Sequence, residues 1–156
     1  MPEAPGASLA AARAELERSL LARPDDFASQ YNLGNLHLER GDPAAAGDRY
    51  RKALALRPDH LASLVNLSMA EARLGRLDQA EAALREAIRV QPREASAHFN
   101  LGLLLAERQR PAEARDALRR SLELDPRNAA AAYNLAVLGA ESPKEAASLA
   151  GRAAGI

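Results

Sequence analysis

Apolar residues in this chain recur at helical spacing on either side of short polar breaks, as in Leu33 and Leu36 followed by Tyr50, Ala53 and Leu54. No run of β-branched residues suggests a strand, so the pattern predicts helices in pairs. The pairs repeat. Pro24, Pro58, Pro92 and Pro126 stand 34 residues apart, and the same step carries Asn32 to Asn66, Asn100 and Asn134. It also carries Leu33 to Leu67, Leu101 and Leu135, Ala46 to Ala80 and Ala114, Tyr50 to Leu84 and Leu118, and Leu54 to Ile88 and Leu122. Several independent columns keeping one register predict stacked helical hairpins.

Start and stop signals place the helix ends. Asp42 precedes Pro43, and Ser142 precedes Pro143 with Glu145 completing a capping box, while Gly41 and Gly75 close the helices before them. The periodic prolines end the second helix of each pair. Helices approach closely where side chains are small, which predicts contacts at Gly34, Ser68, Gly102 and Ala136 in the first helices and at Ala46, Ala80 and Ala114 in the second. Three full repeats span 27–60, 61–94 and 95–128. A helix at about 8–22, whose Leu16 and Leu20 keep the second-helix columns, covers the N-terminal end behind a flexible segment 1–7. After the third repeat, Asn128 to Ala140 reads as a first helix, but Pro143 arrives two residues early and the next helix, Lys144 to Ala154, has Leu149 as its one large apolar residue. Residues 129–156 are therefore a degenerate fourth unit: a modest cap, an array with its continuation missing, or a surface that pairs with another copy.

At Leu33-Gly34, Ala46, Tyr50, Ala53 and Pro58, and at the equivalent positions of two further units, the sequence resembles the tetratricopeptide repeat family. It departs from the family pattern at the early aromatic position, occupied by Gln30, Leu64 and His98. The resemblance implies an all-α, right-handed superhelical solenoid of antiparallel helix pairs, with first helices lining a concave surface, and a role in binding other proteins.

Composition narrows the chemistry. The absence of cysteine removes disulfides, thiolate zinc sites and cysteine nucleophiles. Twenty-one basic residues balance twenty-one acidic ones, so nucleic acid and anionic membranes are not expected partners. The apolar run Leu101 to Ala106 falls far short of the roughly 20 residues of a membrane span. Met1 to Ser8 lacks the basic start and apolar stretch of a signal peptide, which leaves the cytoplasm as the default location. His37, His60 and His98 lie in different columns and never at the paired spacing of a metal site, and no phosphate loop or nucleophile elbow occurs. No cofactor, metal or catalytic activity is expected.

Binding residues are sought on the exposed side of the first helices. One column there is Tyr31, Val65, Phe99 and Tyr133, the next is Asn32, Asn66, Asn100 and Asn134, and one turn on lie Asn35, Met69, Leu103 and Val137. An asparagine amide offers both donors and an acceptor, so a ladder of them can pair with the backbone of an extended peptide while apolar neighbours receive its side chains. The column resembles the asparagine ladder in the repeat array of O-linked N-acetylglucosamine transferases, which leaves open a substrate-presenting arm of a larger enzyme. The same asparagines can equally bond neighbouring helices, and the aromatic column can be packing between them. A carboxylate clamp for a chaperone's acidic C-terminus is matched by Asn35 and Asn66, but Tyr31, Ser96 and Asn100 stand where its cations belong, so that ligand is not expected. The candidate peptide-binding residues are thus Asn32, Asn66, Asn100, Asn134, Tyr31, Asn35, Met69, Phe99, Leu103 and Tyr133. Weak self-association through the C-terminal end is a further expectation.

Overall fold

The computed structural model describes residues 5–139 and 143–155. All described regular structure is helical: α1 (Pro5–Ala22), α2 (Phe27–Glu39), α3 (Pro43–Leu56), α4 (Leu61–Arg73), α5 (Leu77–Val90), α6 (Ala95–Glu107), α7 (Pro111–Leu124), α8 (Ala129–Val137) and α9 (Pro143–Ala153). First-helix starts at Phe27, Leu61, Ala95 and Ala129 fall 34 residues apart, as do the second-helix starts at Pro43, Leu77 and Pro111. The chain divides into two compact units, Met1–Ala80 and Glu81–Ile156.

In the N-terminal unit α1 packs on α2, α2 on α3, and α3 on α4. The Tyr50 ring is fully buried against Ala46 and Ala70, with Tyr31, Leu38 and Leu67 around it. It fits because Gly34 has no side chain: a Cβ there would lie 2.7 Å from Tyr50 Cε1. Burial of a side chain of this size stabilises the fold by about 1.5–3 kcal/mol. In the C-terminal unit α6 packs on α7, α7 on α8, and α8 on α9. Leu118, Leu122, Leu135 and Leu149 form its core with Ala131 and Ala132. Gly102 repeats the device of Gly34, since a Cβ there would meet Leu118 Cγ at 2.7 Å.

The first helices end alike. Gly41 takes φ 76° and its N–H donates to Leu38 O, while Asp42 N–H donates to His37 O, closing two of the last carbonyls of α2. Gly75 (φ 73°) closes α4 in the same way, and Gln109 does so for α6 at φ 58°, a conformation an L-residue adopts at a cost. Asp42 then caps α3 by accepting Ala45 N–H at 3.1 Å.

Some details depart from the sequence reading. Helix α1 begins at Pro5, earlier than the expected residue 8. Helix α8 stops at Val137, short of the expected range, and Gly139 turns the chain there at φ 90°; Ala140 lies outside the described residues. Ala136 is exposed, not closely packed. Counted from the helix starts, Ala150 stands where α7 has Leu118 and is exposed, and the large side chain that α9 buries is Leu149, one position earlier. Ser142 lies outside the described residues, and Glu145 is engaged by Arg119, whose Nε donates to its Oε1 at 2.7 Å.

Candidate functional site

The geometry of the N-terminal unit draws three of the candidate residues together. Asn35 of α2 and Asn66 and Met69 of α4 line one cleft of about 340 Å³, completed by Leu38, Glu39 and Arg73. Met69 is 39% exposed there. Arg73 is tied across the helices, its Nη1 donating to Leu38 O at 3.2 Å, so one wall of the cleft is braced by a charged group.

The two amides are held by a hydroxyl from beneath. Tyr50 Oη donates to Asn35 Oδ1 at 2.7 Å, and Asn66 Nδ2 donates to the same oxygen at 3.0 Å. Both lone pairs of Asn35 Oδ1 are then used, whereas Asn35 Nδ2 and Asn66 Oδ1 have no protein partner among the described residues. A donor and an acceptor are left side by side at the cleft, the pair that a peptide N–H and C=O require. Burial pushes the Tyr50 hydroxyl up to about 12, with the Asn66 amide pulling the other way, so it stays a donor through the neutral range.

The remaining candidates have different surroundings. Among the described residues Asn32, which is exposed, and Asn100, which is half-buried, make no side-chain hydrogen bond. Asn134 Nδ2 donates to Ala130 O at 2.8 Å, so one of its donors is spent on its own helix. Tyr31 belongs to an aromatic cluster: its ring lies 6.2 Å from those of Phe27 and Tyr50 and 5.1 Å from His60. Phe99 packs against the Leu118–Leu135 core. Leu103 is half-buried and Tyr133 is 62% exposed. The asparagine column is therefore not one uniform ladder, since its members do different things.

His60 shapes the entry to α4. Its Nδ1 accepts Ser63 N–H at 3.2 Å and lies 2.8 Å from Ser63 Oγ, and burial lowers its pKa, which keeps the acceptor nitrogen free of a proton.

Sequence reasoning passed over the ion pairs. Glu71, nearly inaccessible, bonds Arg51, with Arg76 at 3.6 Å from its other oxygen. In the C-terminal unit Glu81 is approached by Arg85, Arg108 and Arg110; burial would raise its pKa, but the Arg85 bond and the charges of Arg110, Arg85 and Arg108 outweigh this and lower it. Two hollows of about 350 and 300 Å³ in that unit carry Arg85 and Glu113, or Arg119 and Glu145, on their rims. The 34-residue step from Arg51 to Arg85 and Arg119 was the available signal. Among the described residues there is no group of three or more side chains able to hold a metal, and no helix is long and apolar enough to cross a membrane.

Models described as tetratricopeptide repeat match residues 25–93 and, separately, 65–129 and 107–154. No curated protein matches the sequence. Among solved structures, the thermophilic TPR protein TTC0263 of Thermus thermophilus is 28% identical, with a TM-score of 0.72 over 93% of this chain and 81% of that one. The first TPR of Spaghetti (RPAP3), bound to the HSP90 peptide SRMEEVD, is 25% identical, with a TM-score of 0.69 over 72% of this chain and 89% of that one. YrrB, a TPR protein with an unusual peptide-binding site, is 24% identical at a TM-score of 0.77, covering 94% and 76% of the two chains, and shares the fold.

Proposed function

The chain belongs to the tetratricopeptide repeat family, and we propose that it is a non-catalytic interaction scaffold that holds an extended segment of a partner protein against its first helices. One observation carries this reading: the cleft between α2 and α4, where Asn35 Nδ2 and Asn66 Oδ1 are left without protein partners beside the exposed side of Met69. The amides are set in place before a ligand arrives, because the buried Tyr50 hydroxyl fixes Asn35 and Asn35 fixes Asn66. Less ordering then opposes binding. Such a site pairs with any backbone amide and leaves selection to the apolar wall formed by Leu38 and Met69. In the C-terminal unit Asn100, Leu103 and Tyr133 offer an amide and apolar side chains on α6 and α8, without the hydroxyl anchor that Tyr50 provides.

The peptide bound by the RPAP3 repeat supports a peptide as ligand. Its acidic sequence is not the one expected here, because the cations of a carboxylate clamp are replaced by Tyr31, Ser96 and Asn100. Extended, largely uncharged segments with an aliphatic residue suit the cleft better.

The test is a peptide-display selection on the wild-type chain and on Met69→Glu, a substitution that alters the wall and leaves the three-residue hydrogen-bond network intact. Enrichment of extended apolar peptides by the wild type, lost in Met69→Glu at equal helicity, is the expected result. Equal enrichment by both would move the site away from the cleft. Salt-sensitive capture of an acidic C-terminal peptide would overturn the preference argued here.

A further inference from the structure

Two of the residues lining the α2/α4 cleft are charged, and their surroundings differ. Arg73 lies in the last turn of α4, where the helix dipole favours a cation, and its Nη1 donates to Leu38 O at the end of α2. Its charge is thus met by the carbonyl ends of both helices. Glu39 is the last residue of α2, the end at which a carboxylate is disfavoured. It is exposed at the cleft and has no hydrogen bond or ion pair among the described residues, Arg73 included. A lone acid at the negative end of a helix is a local cost that nothing in this unit offsets, and a cation brought by a ligand would offset it.

The helices fix where this charge stands relative to the amides. Asn66 bonds Asn35 and Arg73 bonds Leu38, so α2 and α4 run in the same direction and their C-terminal ends lie at one end of the cleft. Glu39 follows Asn35 by one helical turn, roughly 6 Å along the axis. Between the amides and the acid lies the apolar wall of Leu38 and Met69. An extended chain advances roughly 3.3 Å per residue, so the ligand residue that reaches Glu39 stands about two positions from the one whose backbone pairs with Asn35 and Asn66.

We propose that Glu39 is a specificity residue of the cleft, selecting segments that carry a lysine or arginine about two residues from the amide-paired position, beside the aliphatic residue on the wall. The proposal rests on the peptide-binding reading of the cleft and adds to it the sign of the charge that the ligand brings. An acid at that ligand position would face both Glu39 and the carbonyl end of α2.

Fluorescence anisotropy with short, end-blocked alanine–serine peptides tests it, each with a central leucine and one lysine, glutamine or glutamate about two or three residues to either side. On the wild type the lysine peptide at one of these spacings is expected to bind about two- to fivefold tighter than its glutamine counterpart, a margin that shrinks from about 50 to about 300 mM salt. Glu39→Gln is expected to remove the discrimination between lysine and glutamine, and Glu39→Lys to turn it toward glutamate, with circular dichroism checking that the chains are equally helical. Equal binding of lysine and glutamine peptides by the wild type, or a lysine preference that survives Glu39→Gln, would overturn the proposal and leave the cleft as a peptide site. A wild-type preference for glutamate would overturn it in favour of Arg73 as the selecting charge. A wild type that binds none of the peptides, or binds them no better than Met69→Glu does, would remove the reading of the cleft and the proposal with it.

Discussion

Replacing Asn35 with leucine isolates the element on which the cleft depends. The side chains share the same branched heavy-atom skeleton and leucine is the larger, so the substitution removes an acceptor without opening space for water. Tyr50 Oη then loses the partner it holds at 2.7 Å, in a residue whose accessible surface is nil. A buried donor left bare costs about 1–3 kcal/mol. Asn66 Nδ2 loses the same acceptor, but Asn66 is half-buried and lines the cleft, so water restores most of that bond. The expected loss for Asn35→Leu is therefore about 2–3 kcal/mol, or roughly 4–12 °C in Tm for a chain of this length. Tyr50→Phe removes the donor and strands nothing, since Asn35 Oδ1 still accepts from Asn66, and should cost about 1 kcal/mol. In Asn35→Leu/Tyr50→Phe the bare hydroxyl is gone, so the double variant should lose at least about 1 kcal/mol less than the sum of the singles. Urea denaturation of the four proteins closes the cycle. The pH dependence is a second readout. With the folded-state pKa of Tyr50 near 12 and an unfolded value near 10, the unfolded chain releases its proton first. Its contribution is complete below pH 10 and declines by roughly 2–3 kcal/mol as pH rises to about 12, a decline that Tyr50→Phe should remove. Strict additivity in the cycle, or an alkaline limb unchanged by Tyr50→Phe, would refute the network.

Further expectations concern turns and close approaches. Gly102→Ala gains about 1 kcal/mol of helix propensity but drives a methyl to 2.7 Å from Leu118 Cγ and 3.3 Å from Ala114 O, so overpacking of about 1–3 kcal/mol should prevail and lower the urea midpoint. Gln109→Gly relieves the positive φ at the end of α6 and should raise stability by about 0.5–1 kcal/mol, whereas Gly41→Ala, at φ 76°, should lower it by a similar amount. A rise in Gln109→Gly below measurement error would show that the turn carries no strain. His60 accepts Ser63 N–H through an unprotonated nitrogen, and burial lowers its pKa, so the unfolded chain takes up a proton first on acidification. Its contribution is whole above about pH 6.5 and is lost as pH falls through the lower folded value; His60→Asn, which keeps a cap, should flatten that acid limb in a melting series. An unchanged limb would assign the acid sensitivity elsewhere, with His37, also lowered by burial, the next group to replace.

The spacing of prolines, small residues and aliphatic columns was enough to identify helical hairpins, because helix pairing depends on which residues recur at one face and those are visible one at a time. Gly34 and Gly102 were legible as close approaches for that reason, and Asp42 as a cap because its bond to Ala45 is local. The end of α8 was not, since a glycine two residues beyond a helix reads the same until its φ is known.

The asparagine column shows where periodicity stops. In sequence Asn66, Asn100 and Asn134 are equivalent, yet Asn66 bonds Asn35, the Asn100 side chain bonds no described residue and Asn134 turns to its own backbone. What separates them is a residue in another column: Asn35 is polar in the unit that carries the Tyr50 hydroxyl, and its successors Met69 and Leu103 belong to units with Leu84 and Leu118 in that place. Sequence alone established the helices, their order and the family, because those follow from local periodicity. Tertiary structure decided which amides are left without a protein partner among the described residues and which side chains of α8 are exposed, because hydrogen bonds and burial depend on neighbours that lie 15 or 31 residues away along the chain.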